Sequence, residues 1–204
     1  MKLFFDTEFT GLHQNTTLIS IGIIDSNGYT FYAEFNDYDK TQLDNWLNDN
    51  IISNLKYANE TTKTTKTTGV KRTAISTEVY GDSKLIKKEL EKWTSIYDSI
   101  ELWSDCLSYD FTLFNNIWGT AFDIPNNIYY IPFDICTMFK LAGIDPDINR
   151  EKFAKIKNKN EIEKHNSLWD AKVIKMCYDI LQSKFKNEYD TTLKRKSTIE
   201  SIVK

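Results

Sequence analysis

The sequence is poor in cysteine, proline and glycine, and each shortage excludes something. Its 3 cysteines, Cys106, Cys136 and Cys177, are odd in number and far apart. That is neither a disulfide framework nor a paired-cysteine metal site. It fits a reducing, cytoplasmic setting. With 7 Gly and 3 Pro in 204 residues, the chain does not have the composition of a linker or a fibrous protein. No apolar run approaches ~18 residues, so no membrane span is expected. The N-terminus shows no signal-peptide pattern, because Lys2 leads straight into a strand-like run that ends in acids. Positive charge is not in surplus either. The net charge is −3, whereas a protein that coats long nucleic acid carries a basic excess. Any nucleic-acid contact should be local, at a few phosphates, or carried by a metal ion.

What is present suffices for a full core in a single domain, since 41% of residues are hydrophobic. Residues 2–9 alternate: Lys2, Phe4, Asp6 and Glu8 share one strand face, and Leu3, Phe5, Thr7 and Phe9 the other. "LISIGII" (18–24) and "YTFYAEF" (29–35) read as two more strands, joined by a turn in which Asn27-Gly28 supplies positive φ. The period then turns helical over 40–56, through Leu43, Trp46, Leu47, Ile51 and Leu55, and again over about 83–97. A strand at 100–104, a helix at about 109–118, a strand at 128–133 and a helix at about 134–141 follow. The last clear helix spans about 167–184. A hairpin followed by alternating helix and strand predicts an α/β fold. Its mixed central sheet should have about five strands, an N-terminal antiparallel meander and flanking helices. "TTKTTKTTGVKR" (61–72) reads as a flexible polar loop, and residues 185–204 as a charged tail.

The stretch "FFDTEFTGL" (4–12) places Asp6 and Glu8 on one strand face at the end of an apolar run. An isolated pair of this kind is ordinarily a turn or a cap. Two adjacent anions also suit a divalent cation, and all-oxygen ligation favours a hard ion such as Mg²⁺ or Mn²⁺. Asp110, in "SDCLSYDFTLF", falls near the start of a helix that follows a strand. Asp170, in "HNSLWDAKVI", falls in the first turn of the last helix. Either could serve the helix dipole alone. His165 precedes Asp170 by five residues, about 500° of helical turn, so the two cannot share a helix face. His165 should therefore sit in the loop, with Asn166 or Ser167 as N-cap. His13 has no comparable neighbours and reads as a loop residue.

In that order the motifs resemble the DEDDh family of 3′→5′ exonucleases, which share the ribonuclease H-like three-layer fold. The resemblance covers about residues 1–184. It is most similar to the exoribonuclease AS and ribonuclease T-like branches. Two positions depart from the family pattern: Cys106 stands where the second motif often has Asn, and Ser167 where the third usually has Ala. Neither removes a ligand or the base.

The resemblance implies two divalent ions. Asp6, Glu8 and Asp170 would hold one, and Asp6 and Asp110 would help hold the other. His165 would be the general base, and the products nucleoside 5′-monophosphates. Glu8 and the backbone at Thr7 would meet the terminal 3′-OH, and Leu12 would wedge against the last base. Phe9 would stack on a base or belong to the core. The implied partner is a single-stranded 3′ end, RNA in preference to DNA, and homodimers occur among such enzymes. The Thr/Lys loop and the group Lys152, Lys155, Lys157 and Lys159 could grip the backbone upstream. A proofreading-type DNA exonuclease on the same scaffold is the alternative, and a non-catalytic RNA-binding module is a third reading.

Overall fold

The alternation of residues 2–9 becomes a strand with a covered layer on each face. The computed structural model describes residues 1–57, 68–120, 122–156 and 165–202. In chain order the elements are β1 (Lys2–Phe9), β2 (Leu18–Asp25), β3 (Thr30–Phe35), α1 (Asn45–Asn50), β4 (Gly69–Arg72), β5 (Ser76–Gly81) and α2 (Ser83–Thr94). They continue with β6 (Glu101–Ser104), α3 (Leu107–Trp118), β7 (Phe133–Asp134), α4 (Ile135–Leu141), α5 (Arg150–Phe153) and α6 (Ser167–Ile202). The sheet order is β4-β5-β3-β2-β1-β6-β7. β1, β2 and β3 form an antiparallel meander. β6 lies parallel to β1, β5 parallel to β3, and β7 parallel to β6. At the β2–β3 turn Gly28 takes a φ of +94°, and Asp25 accepts the N–H groups of Asn27 and Tyr29, both at 2.8 Å.

On one face of the sheet Leu3, Phe5, Ile21, Ile23 and Phe31 pack with Ile86 and Leu90 of α2 and with Leu113 and Phe114 of α3. On the other, Phe4 and Ile24 pack with Ile135 and Phe139 of α4 and with Ala171, Ile174, Tyr178 and Leu181 of α6. Burying each such Leu, Ile or Phe side chain contributes roughly 1.5–3 kcal/mol. This is the expected α/β, ribonuclease H-like arrangement of three layers. Among the described residues, no helix is long and apolar enough to cross a membrane.

Among the described residues the sheet has seven strands rather than about five. β4 carried no signal because all four of its residues are exposed. β5 turns Thr77, Val79 and Gly81 inward, so one aliphatic residue alone marks its buried face. The strand expected at 128–133 shrinks to a single bridge, Ile100 to Ile128, and the two-residue β7. Pro132 has no N–H for a ladder, and Tyr130 and Ile131 are exposed. The helix expected over 40–56 is broken into the short α1 and two 3₁₀ turns, Lys40–Gln42 and Ile52–Asn54. α6 continues past residue 184 to Ile202, because no Gly or Pro follows Pro146 to stop it. Of the Thr/Lys loop, 61–67 lie outside the described residues and 69–72 are β4.

The start of α6 rests directly on β2. A Cβ on Gly22 would stand 2.2 Å from the Leu168 nitrogen and 2.3 Å from the Ser167 carbonyl carbon. Two residues earlier on the same strand face, the Ser20 hydroxyl lies 3.0 Å from that of Ser167, and both are buried. Ser167 thus has a partner on the strand beneath it. Gly22→Ala should force α6 off the sheet and lower stability by about 1–3 kcal/mol, the usual cost of overpacking. Ser167→Ala should cost about 1 kcal/mol, the net worth of one hydrogen bond. Equilibrium urea denaturation of the two variants beside the parent checks both values.

Candidate active site

Asp6 and Glu8 continue the Phe4 face of β1 beyond its apolar residues. In the β1–β2 ladder Asp6 stands opposite Gly22 and Glu8 opposite Ser20. The first turn of α6 lies over those same two residues, which brings Asp170 to the pair. One carboxylate oxygen from each of Asp6, Glu8 and Asp170 lies within 4.8 Å of the others. Asp170 donates its N–H to the Asn166 carbonyl at 3.0 Å. The Asn166 side chain accepts from the Trp169 N–H at 3.2 Å, which makes Asn166 the cap.

A second carboxylate group shares Asp6. It comprises Asp6, Asp105 and Asp110, again with oxygens within 4.8 Å of one another. Asp105 follows the last residue of β6, and Asp110 sits in the first turn of α3. β1 and β6 are parallel, so both groups lie at the carboxyl ends of adjacent parallel strands, where open α/β sheets place ligands. Asp110 is buried, at 1% exposure. It accepts from the Thr7 N–H at 3.2 Å, the Thr7 hydroxyl at 2.6 Å and the Ser104 hydroxyl at 2.5 Å.

Crowding sets the electrostatics. Burial first, and then Asp110, Asp170, Glu8 and Asp105, raise Asp6 well above the usual carboxylate range. Burial and the charges of Asp170 and Asp110 push Glu8 up to about 8. Burial, Asp105, Glu151 and Asp110 push Asp170 up to about 7. Burial carries Asp110 up to about 7 against the opposing hydrogen bonds from Ser104 and Thr7. A set of acids that disfavour their own ionisation, offering oxygen donors alone, fits a hard divalent cation.

His165 has a φ of +56°, in the left-handed region, immediately before the α6 cap. With Asp6, Asp105, Arg150 and Asp170 it lines a cleft of about 510 Å³. Its ring meets that of Trp46 edge-on, with centroids 5.3 Å apart. Trp46 belongs to a second cleft of about 480 Å³, lined also by Glu8, Phe9 and Leu12. Leu12 is 77% exposed there. Phe9 stacks on Tyr109 at 5.1 Å, so part of its ring is taken up by the core. Thr7 stands apart from the cleft: it is buried, and both its donors serve Asp110. Lys152 and Lys155 are exposed in and just after α5. Lys157 and Lys159 lie outside the described residues.

Three residues of these clefts escaped the sequence reading. Trp46 shared the helical period of core residues, although it is 54% exposed. Asp105 carried a signal in its place directly after the "LWS" strand end. Arg150 carried none, because its part depends on Asp105, 45 residues away.

The raised carboxylates give a signed pH dependence. The metal-free fold binds more protons than the unfolded chain between the ordinary Glu value of 4.5 and about 8. Its stability should therefore be highest at the acid end of that window and fall as pH rises across it to about 8. A divalent cation should restore it most at the high end. Thermal melts in EDTA at about pH 5.5 and 8, repeated with Mn²⁺, check this: the Mn²⁺ upshift should be larger at pH 8. Asp6→Asn removes one repelling charge and should raise the melting temperature in EDTA at pH 8.

A family model described as the 3′-5′ exoribonuclease Rv2179c-like domain matches residues 1–181. Two relatives from Mycobacterium tuberculosis, "3′-5′ exoribonuclease MT2234.1" of strain CDC 1551 / Oshkosh and "3′-5′ exoribonuclease Rv2179c" of strain ATCC 25618 / H37Rv, are each 25% identical over 130 residues. The aligned part is 63% of this chain and 67% of each relative. The family match takes in both carboxylate groups and His165, and on that span the chain belongs to the Rv2179c-like 3′-5′ exoribonuclease domain family.

Proposed function

We propose that this chain is a 3′→5′ exoribonuclease of the DEDDh type, acting on single-stranded RNA ends and releasing nucleoside 5′-monophosphates. The observation that carries the reading is Asp6, whose carboxylate is common to two acidic groups at the ends of parallel strands. Asp6, Glu8 and Asp170 would hold one divalent ion, and Asp6 with Asp110 the other. Mg²⁺ and Mn²⁺ both suit the donors. When bound, the two ions supply charge neutralisation at the scissile phosphate and make water a better nucleophile.

The chain's own residues supply the rest. His165, facing the cleft that holds Asp6 and Asp170, takes the proton of the attacking water. Glu8 belongs to the first acidic group and also lines the Trp46 cleft, so it can accept a hydrogen bond from the terminal 3′-OH while the base lies beyond it. Leu12, exposed at that cleft, is the wedge against the last base. The relatives' names as exoribonucleases support RNA over DNA. The family span supports placing the catalytic unit in residues 1–184.

Matched 5′-labelled RNA and DNA strands, incubated with Mg²⁺, Mn²⁺ or EDTA, test the reading. A metal-dependent ladder shortening from the 3′ end, stronger on RNA, is expected. Asp6→Ala and Asp170→Ala should abolish it while the fold survives. His165→Ala should lower turnover by about 10²–10⁴-fold and leave Mn²⁺ binding in place. Faster shortening of DNA would make the chain a DNA exonuclease. No shortening of either strand by folded protein would leave an RNA-binding module.

A further inference from the structure

Asp105 belongs to none of the motifs, yet it faces the cleft more openly than Asp110 does. Asp105 lines the 510 Å³ cleft beside Asp6, His165 and Asp170, and Asp110 is not among the residues that line it. The reason lies in their partners. Asp110 is 1% exposed and its two oxygens already accept three hydrogen bonds from Thr7 and Ser104. An ionised carboxylate offers about four lone-pair sites, so little of Asp110 is left for a ligand. The Asp105 side chain is 20% exposed, and Arg150 Nε donates to its Oδ2 at 3.0 Å.

Arg150 is itself held from several sides. Its Nη1 donates to the carbonyls of Pro146 and Ile148, both at 2.7 Å. Its Nη2 donates to Cys136 Sγ at 3.0 Å, and its guanidinium lies over the Phe139 ring at 5.0 Å. A guanidinium fixed in this way fixes the carboxylate it touches. Carboxylates that ligate metals are commonly oriented by such outer partners. One oxygen each of Asp105, Asp6 and Asp110 already lies within 4.8 Å of the other two.

We infer that Asp105 is a direct ligand of the second divalent ion, oriented for that task by Arg150, with Asp110 supplying a less exposed share. The assignment rests on the two-ion reading above and adds a ligand that the family motifs do not name. Arg150 is then a positioning residue. Its charge also offsets the repulsion that a further carboxylate adds to the site.

Counting bound Mn²⁺ by the loss of its free EPR signal tests this on the full chain, without reference to cleavage. The parent should bind two ions, and Asp6→Ala should lose both. Asp105→Asn keeps an oxygen for Arg150 and so preserves the fold. It should retain the first ion and weaken the second by roughly tenfold or more. Arg150→Gln should weaken the second ion by a smaller factor. If Asp105→Asn and Arg150→Gln lower the melting temperature but leave both Mn²⁺ affinities unchanged, Asp105 is a structural anchor and the inference is overturned. A parent that binds fewer than two ions would overturn the two-ion reading itself, a different result from the first.

Discussion

The distance between the β2 backbone and the first turn of α6 governs the rest of the site. Gly22 has no side chain, so the Ser167–Leu168 backbone can sit where a Cβ would be. That contact makes Asp170 a neighbour of Asp6 and Glu8, because Asp6 is the ladder partner of Gly22. The Ser20–Ser167 hydrogen bond holds the same juncture along the strand. The acids are therefore brought together by packing they do not themselves favour. The apolar face of α6, with Ala171, Ile174, Tyr178 and Leu181 buried against Phe4 and Ile24, offsets their repulsion.

That repulsion has a chemical use. Burial and like charge raise Asp6, Glu8, Asp110 and Asp170 together. A site of this kind discriminates by charge before it discriminates by shape, since a divalent ion relieves what the fold imposes. It also accounts for an acidic protein that acts on a polyanion. Neutralisation can be local to the scissile phosphate, so a net charge of −3 does not oppose work at a chain end. Within the set the acids divide their labour. Thr7 and Ser104 lock Asp110 in place, whereas Arg150 presents Asp105 to the cleft.

The two clefts meet at a pair of residues from distant parts of the chain. His165 lines the cleft of the acids, Trp46 lines the neighbouring one, and their rings touch. Glu8 links them from beneath, as a member of the acidic group and of the Trp46 cleft wall.

The sequence by itself determined the strand face that carries Asp6 and Glu8, the antiparallel meander, the capped start of the last helix and the loop position of His165. Each is a local matter: a period of two, an Asn-Gly turn, an Asn or Ser cap, a five-residue spacing. It carried little of β4, whose residues are all exposed, of β5, where one aliphatic residue faces inward, and of β7, which is two residues long. Only tertiary structure could show that Trp46 leaves the core for the cleft and that Thr7 serves Asp110. The same holds for Arg150 reaching Asp105. Periodicity records which face of an element is apolar, whereas these roles depend on which element lies opposite, and that is settled only when the elements pack.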